Sequence, residues 1–407
     1  MIEIRKVQTA NGRRISMFLQ SQERRVIDAK NLTLFPALID PHVHFRTPGA
    51  EHKENWETAA KAAIAGGVTT VLDMPNNMPA CYNRERFEEK KRLIDEQLKR
   101  VDIPLRYYLY LGADEHHLEE IASLASEIAA VKIYMGSSTG DLLMNNPDAL
   151  DKAFRIAAEN DVMIAVHAED EKLLQTRREQ YAGETDPAFH SQIRSSQVAV
   201  QALQEALSLV EKYGTRLYVA HVSTVEEIAL IRKAKYKGLP VYAEVTPHHL
   251  FLTDEDYASL GTKALVNPPL RSKADAAALW DAIEDQTIDT IGTDHAPHTL
   301  EEKTKPFGQA PSGFPAIELY FPLLLNAYHE NKLTLAQIIS LTHTRPQEIF
   351  RIPRNEDVVL VDLETVRTVD DAELHTKVKW SPYQGKTLKG WPRYTIASGR
   401  LFDVQAL

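Results

Sequence analysis

Cysteine is almost missing from this chain: Cys81 stands alone among 407 residues. No intramolecular disulfide can form, which excludes the stapled frameworks of small secreted proteins and fits a reducing compartment; cytoplasmic residence is the expectation. Apolar runs of membrane-spanning length are absent as well, so no transmembrane helix and no membrane partner is expected. The opening MIEIRKVQTANGRRISMFL alternates charged and apolar residues instead of building the continuous apolar core of a signal peptide. Positive charge is not in excess, since 47 Lys and Arg face 57 Asp and Glu for a net charge of −10. With no basic stripe, nucleic acid is excluded as an expected partner. What remains, 43% hydrophobic and 26% charged residues, is the balance of an ordinary globular protein.

Eight short apolar runs recur along the chain with amphipathic stretches between them, the pattern of βα units. They are ALIDPHVH ending at His44, VTTVLDM at Met74, LRYYLYLG at Gly112, AVKIYMG at Gly136, VMIAVHAED at Asp170, LYVAHVS at Ser223, LPVYAEVTPHH at His249 and IDTIGTDHAPH at His298. Several are almost wholly apolar, as strands covered on both faces of a parallel sheet must be. Helices are predicted between them, from Asn55, from Asp148, and after Ser223 or Thr224, either of which can cap a first turn. The prediction is an α/β protein: a (β/α)₈ TIM-like barrel over 37–347, with a small β-sandwich domain formed by the two chain ends, 1–36 and 348–407. A barrel takes about 250 residues, so the length suits one large domain and one small.

Ionisable residues interrupt these runs in an ordered way. His42 and His44 close the first, Lys132 lies inside the fourth, His167 closes the fifth, His221 the sixth and Asp294 the eighth. Burying an unpaired charge costs several kcal/mol, so these residues need partners. Strand C-termini converge on one face of a barrel, where the βα loops form the mouth. Residues two apart on a strand point the same way, so both imidazoles of the His-Val-His triplet can reach one ion. Alone, such a pair is more often structural than metal-binding; joined to His167, His221 and Asp294 it predicts a metal site. A cationic Lys132 among Val131, Ile133 and Tyr134 would repel metals. Burial lowers a lysine pKa, and the neutral amine can add carbon dioxide to give a carbamate whose two oxygens bridge two ions. The plainer alternative is an ammonium that snorkels to a carboxylate at the barrel mouth.

The segments ALIDPHVHFRTPG, GGVTTVLDMPNNMP, VKIYMGSSTG, VHAED, AHVST, AEVTPHHLFLT, VNPPLR and GTDHAPH followed by EEK resemble the dihydroorotases, within the cyclic amidohydrolases that include dihydropyrimidinases, hydantoinases and allantoinases. The resemblance runs almost end to end, and its last three segments look specifically like dihydroorotase. It implies two Zn²⁺ per subunit: one on His42, His44 and Asp294, the other on His167 and His221, with N6-carboxylated Lys132 bridging them. It implies reversible hydrolysis of (S)-dihydroorotate to N-carbamoyl-L-aspartate in pyrimidine (UMP) biosynthesis, by a metal-bridging hydroxide with Asp294 as general base and then general acid. For the ring carboxylate it implies Arg46, a residue suited to bidentate clamping, with Asn76 and His298. Asn267 matches a ring-contacting position, and the backbone from Pro311 to Gly313 a hold on the ring's amide edge. The chain departs from the pattern at Thr47, where an acid usually follows the arginine, and at Gln197, where many relatives carry an acid. SSTGDLLMNN is a candidate cover for the site.

Two other readings remain open on sequence. A dihydropyrimidinase, hydantoinase or allantoinase takes substrates without a ring carboxylate and has no use for Arg46. A non-catalytic scaffold of this fold, serving as a partner beside an aspartate carbamoyltransferase, usually lacks metal ligands, whereas all six stand here. A homodimer is the prior for such an enzyme.

Overall fold

The computed structural model describes residues 1–138, 140 and 142–407. Four strands open the chain, β1 (Ile2–Thr9), β2 (Arg14–Leu19), β3 (Arg25–Asp28) and β4 (Thr33–Pro36). The barrel strands follow: β5 (Leu38–Val43), β6 (Val68–Asp73), β7 (Arg106–Leu109), β8 (Leu111–Gly112), β9 (Val131–Tyr134), β10 (Ile164–His167), β11 (Leu217–Val219), β12 (Val241–Val245) and β13 (Thr290–Ile291). β14 (Val358–Thr368), β15 (Thr387–Ala397) and β16 (Arg400–Asp403) end it.

Each of the eight apolar runs supplies one position in a parallel ring. β5, β6 and β7 form one arc, and β8 through β13 the other. β7 and β8 are a single run broken only at Tyr110, whose N–H donates to the Asp73 carbonyl at 3.1 Å. The ring closes where Val43 bridges His295 in parallel register and His44 N–H donates to the His295 carbonyl at 2.9 Å. Inside the seam, Asp40 on β5 accepts from the Thr293 N–H at 2.9 Å and from its hydroxyl at 2.5 Å. This fixes the first strand against the last just below the residues that carry chemistry. β5, β6, β9, β10 and β11 are buried at every residue, which is why their sequences show no polar alternation.

The helices start where side-chain chemistry stops the strand-to-helix turn. Asn55 accepts from Glu57 N and Thr58 N at the head of the helix Trp56–Ala65, whose buried face includes Ala59, Ala60, Ala63 and Ile64. Thr224, of the two candidates, caps Val225–Tyr236 in a reciprocal pair with Glu227. Asn146 caps Pro147–Glu159, with proline in the first turn where its missing N–H costs nothing.

Both chain ends enter one sheet in the order β16-β15-β14-β4-β1-β2, with β3 paired to β1. The junction is the antiparallel pairing of β14 with β4, where Val359 faces Phe35. The sheet is tied to the barrel by the Thr395 hydroxyl, which donates to the Ile64 carbonyl at 2.8 Å, and by Phe35 packed edge-on to Phe321. Among the described residues no helix is long and apolar enough to cross a membrane.

Candidate active site

At the C-terminal mouth of the barrel a narrow cleft is lined by residues from seven of the eight strand ends and the loops after them, among them His42, His44, Lys132, His167, His221 and Asp294. The backbone strains to present them. Arg46, His221 and Asp294 sit at φ of 63°, 40° and 48°, the left-handed region that non-glycine residues rarely adopt and that clusters at functional sites. Gly292 makes room beneath: a Cβ there would collide with the Glu244 carboxylate.

The polar atoms form two groups. In the first, Asp294 Oδ1 lies 3.3 Å from His42 Nε2 and 3.0 Å from His44 Nε2, and these three residues bring ligand atoms within 4.8 Å of one another. In the second, His167 Nδ1 lies 3.0 Å from His221 Nε2. The groups adjoin, since the His42 and His221 rings are 5.5 Å apart. Lys132 lines the same cleft: its Nζ is buried, has no hydrogen-bond partner among the described residues, and stands 5.3 Å from the Tyr134 ring. Burial pushes the Lys132 amine down to about 8. Among the described residues no carboxylate hydrogen-bonds it, contrary to the snorkelling alternative.

Each imidazole is oriented from behind. His42 Nδ1 meets Glu244 Oε1 at 2.8 Å, His44 Nδ1 meets Asn76 Oδ1 at 2.7 Å, and His167 Nε2 meets Glu169 Oε2 at 2.7 Å. These contacts leave His42 Nε2, His44 Nε2 and His167 Nδ1 for the cleft. Glu169 is paired in turn with Arg194. Burial raises the Glu169 carboxyl, but Arg194 and His167 outweigh it and bring it to about 2. Burial likewise raises Asp294, yet His42, His44 and His221 hold it well below the usual carboxylate range, so it is a carboxylate at neutral pH. Burial pushes His44 down to about 4, and His221 well below its ordinary value with His167 adding to the effect. Neutral imidazoles and a carboxylate are the donor set a divalent metal takes.

Arg46 is buried on the cleft wall. Its Nε donates to the Pro297 carbonyl at 3.1 Å and its Nη2 lies 3.2 Å from His298 Nε2. Among the described residues no carboxylate pairs with it, and burial draws the guanidinium down to about 10. Asn267 lines the cleft with Ser138, Ala296, Ser312 and Gly313, and its Oδ1 is 3.0 Å from His190 Nε2. His298 stands behind Arg46, its Nε2 3.1 Å from the Ser312 carbonyl. Asn76 lines the cleft too, with its Oδ1 turned to His44 Nδ1. Thr47 is buried with its carbonyl accepting from Asn77 at 2.8 Å, and Gln197 lies exposed on the helix Ser196–Tyr213. In SSTGDLLMNN, Ser138 reaches the cleft, while Thr139 and Asp141 lie outside the described residues.

Glu244, Glu169 and Tyr134 escape a reading that follows strand ends alone. All three were visible as polar groups within apolar runs; Glu244 in AEVTPHH breaks a buried strand just as Lys132 does.

The chain matches the amidohydrolase family over residues 33–356. A dihydroorotase of Methanosarcina mazei is 36% identical over 409 aligned residues, which cover 95% of this chain and 87% of that protein. A dihydroorotase of Bacillus subtilis is 37% identical, with 92% and 88% covered. Among solved structures, an L-hydantoinase (dihydropyrimidinase) from Arthrobacter aurescens matches with a TM-score of 0.91 at 26% identity, over 98% of this chain and 95% of that one.

Proposed function

Because this chain belongs to the amidohydrolase family and, within it, to the dihydroorotases, we propose that it opens the cyclic amide of (S)-dihydroorotate to N-carbamoyl-L-aspartate and closes it again, a step of pyrimidine biosynthesis. The observation that carries the choice of substrate is Arg46, a buried guanidinium on the cleft wall with no carboxylate partner among the described residues. A buried cation is stabilised by an anion that it can bond directly, and the ring carboxylate supplies one.

The donor set fits two metals. His42 Nε2, His44 Nε2 and Asp294 would hold one and His167 Nδ1 and His221 Nε2 the other, and Lys132, once carboxylated, would supply a further anionic ligand. Its unpartnered amine adds to carbon dioxide, forming an N–C bond and releasing a proton, and the carbamate turns a repelling cation into an anion. Zinc suits imidazole and carboxylate ligands. Bound metals would polarise the ring carbonyl and lower the pKa of a water, supplying a nucleophile near neutral pH.

The protein's own groups do the rest. Arg46 and His298 hold the ring carboxylate, Asn267 and the backbone at Ser312 and Gly313 hold the ring, and together they set the amide carbonyl over the histidines. Asp294, ionised at neutral pH, takes the proton of the attacking water and passes it to the ring nitrogen as the C–N bond breaks. Glu244, Asn76 and Glu169 keep the imidazoles in the tautomers this needs. In reverse the same path closes the ring and consumes a proton.

A hydantoinase reading draws on the L-hydantoinase likeness, and Arg46 tells against it. The deciding experiment is an ultraviolet assay of the zinc-loaded protein with dihydroorotate in one direction and carbamoyl aspartate in the other. Turnover both ways is expected, with the equilibrium ratio of ring to open form falling about tenfold per pH unit because one proton is taken up on closure. Turnover of an unsubstituted hydantoin with none of dihydroorotate would overturn the assignment. Localisation in the cytoplasm, a homodimeric state and association with an aspartate carbamoyltransferase are proposals of the same kind, tested by fractionation and by sedimentation of the protein alone and with that partner.

A further inference from the structure

Lys53 lies outside the cleft, partly buried, and the reaction described above makes no use of it. Its ammonium is 3.0 Å from His298 Nδ1 and 3.1 Å from Glu302 Oε1. An ammonium offers hydrogens only, so Nδ1 accepts. A neutral imidazole that accepts at Nδ1 carries its proton at Nε2, and burial beside Arg46, Lys53 and Lys303 keeps His298 neutral. That Nε2–H lies 3.1 Å from the Ser312 carbonyl and 3.2 Å from Arg46 Nη2. Arg46 is also a donor alone. The Nε2–H is given to the Ser312 carbonyl and Arg46 Nη2 lies beside it as a second donor, so an acceptor oxygen entering there takes a proton from Arg46 and shares the Nε2–H with that carbonyl.

We propose that Lys53, held by Glu302, is a positioning residue that fixes His298 as the Nε2–H tautomer, so that His298 and Arg46 present paired donors to the ring carboxylate. The proposal rests on the carboxylate reading of Arg46. Glu302 is itself anchored, its Oε2 accepting the Thr299 N–H at 3.0 Å in the cap of Leu300–Lys303. The alternative tautomer has a partner waiting: Glu302 Oε2 is 3.6 Å from His298 Nδ1. Without Lys53 the Nδ1–H form gains Glu302 and, against the cost of setting the bare Nε2 beside the Ser312 carbonyl, lets Nε2 accept from Arg46 and repel a carboxylate.

The test compares zinc-loaded wild type, Lys53→Met and Lys53→Arg. Histidine-selective ¹⁵N labelling reports the tautomer, with the His298 signal identified by its loss in His298→Gln. Wild type and Lys53→Arg are expected in the Nε2–H form and Lys53→Met in the Nδ1–H form. KM for dihydroorotate is expected to rise about tenfold or more in Lys53→Met, with kcat within about twofold, and to recover in Lys53→Arg. An Nδ1–H His298 in wild type, or an unmoved KM in Lys53→Met, overturns the proposal. Arg46→Gln separates the two possible failures. If it raises KM while Lys53→Met does not, only the role of Lys53 falls; if neither moves KM, the carboxylate reading falls with it.

Discussion

His42 Nδ1 meets Glu244 Oε1 at 2.8 Å at the base of the cleft, and that carboxylate also accepts from the His221 N–H at 3.0 Å and the Tyr218 hydroxyl at 2.8 Å. One buried acid thus orients a ligand in each of the two groups. Removing such a partner typically lowers metal affinity about 10–100-fold. Glu244→Gln is expected to weaken zinc binding by that order while the barrel stays folded, read by competition with a chromophoric chelator and by circular dichroism. Unchanged affinity would show that Glu244 is structural only.

Arg46 is proposed to decide between substrates. Losing a buried charge-assisted contact costs about 2–5 kcal/mol, so Arg46→Gln is expected to lower kcat/KM for dihydroorotate at least about 30-fold. Hydrolysis of an uncharged hydantoin, where wild type shows any, is expected to change little. Equal losses on both would place Arg46 in the scaffold.

Acid should destabilise this protein through its buried histidines. Burial, helped by nearby arginines, brings His190 to about 3, His249 to about 4 and His298 to about 3, against about 6.5 in the unfolded chain. Between those values the unfolded state binds protons that the folded state refuses, so stability is full above about pH 6.5 and is lost as pH falls toward 4. Each such histidine contributes a slope of about 1.4 kcal/mol per pH unit. Urea unfolding at pH 7 and pH 5 should show the loss, and His249→Gln should flatten the slope; a pH-independent stability would contradict it.

Lys90 pairs with Asp73 at 2.5 Å, both fully buried, and also donates to the Met74 carbonyl at 2.7 Å and Asn77 Oδ1 at 2.8 Å. Asp73 in turn accepts from the Phe45 N–H at 2.8 Å, so the pair ties together the loops that carry Arg46 and Asn76. Lys90→Met leaves a buried carboxylate unpaired and should cost about 3–5 kcal/mol. Denaturant unfolding measures it, and a loss below about 1 kcal/mol would contradict the account.

The barrel was legible because its signal is local: short apolar runs and caps such as Asn55 and Thr224 are written in neighbouring residues. The gathering of His42, His44, His167, His221 and Asp294 in one cleft was legible for the same reason, since each ends a run. What supports them was harder to see. Glu244 and His42 are 202 residues apart, and nothing local at either position names the other. Lys53 and His298 are 245 apart, and Lys53 sits in a charged loop where a lysine ordinarily faces solvent. The interruption of the third strand at Tyr110 also went unread, because an apolar residue gives no sign that its N–H has left the ladder.

Turnover is proposed to depend on a pair of metals held by Lys132, His42, His44, His167, His221 and Asp294. Metal content and activity should be measured together on protein prepared with zinc and bicarbonate, before and after chelation, beside Lys132→Ala. Two metals per chain are expected, with a lysine carbamate visible by ¹³C NMR, activity lost on chelation and regained with zinc, and Lys132→Ala depleted of metal and inactive. Full ring-opening activity in protein stripped of divalent metal, or in Lys132→Ala, would contradict it.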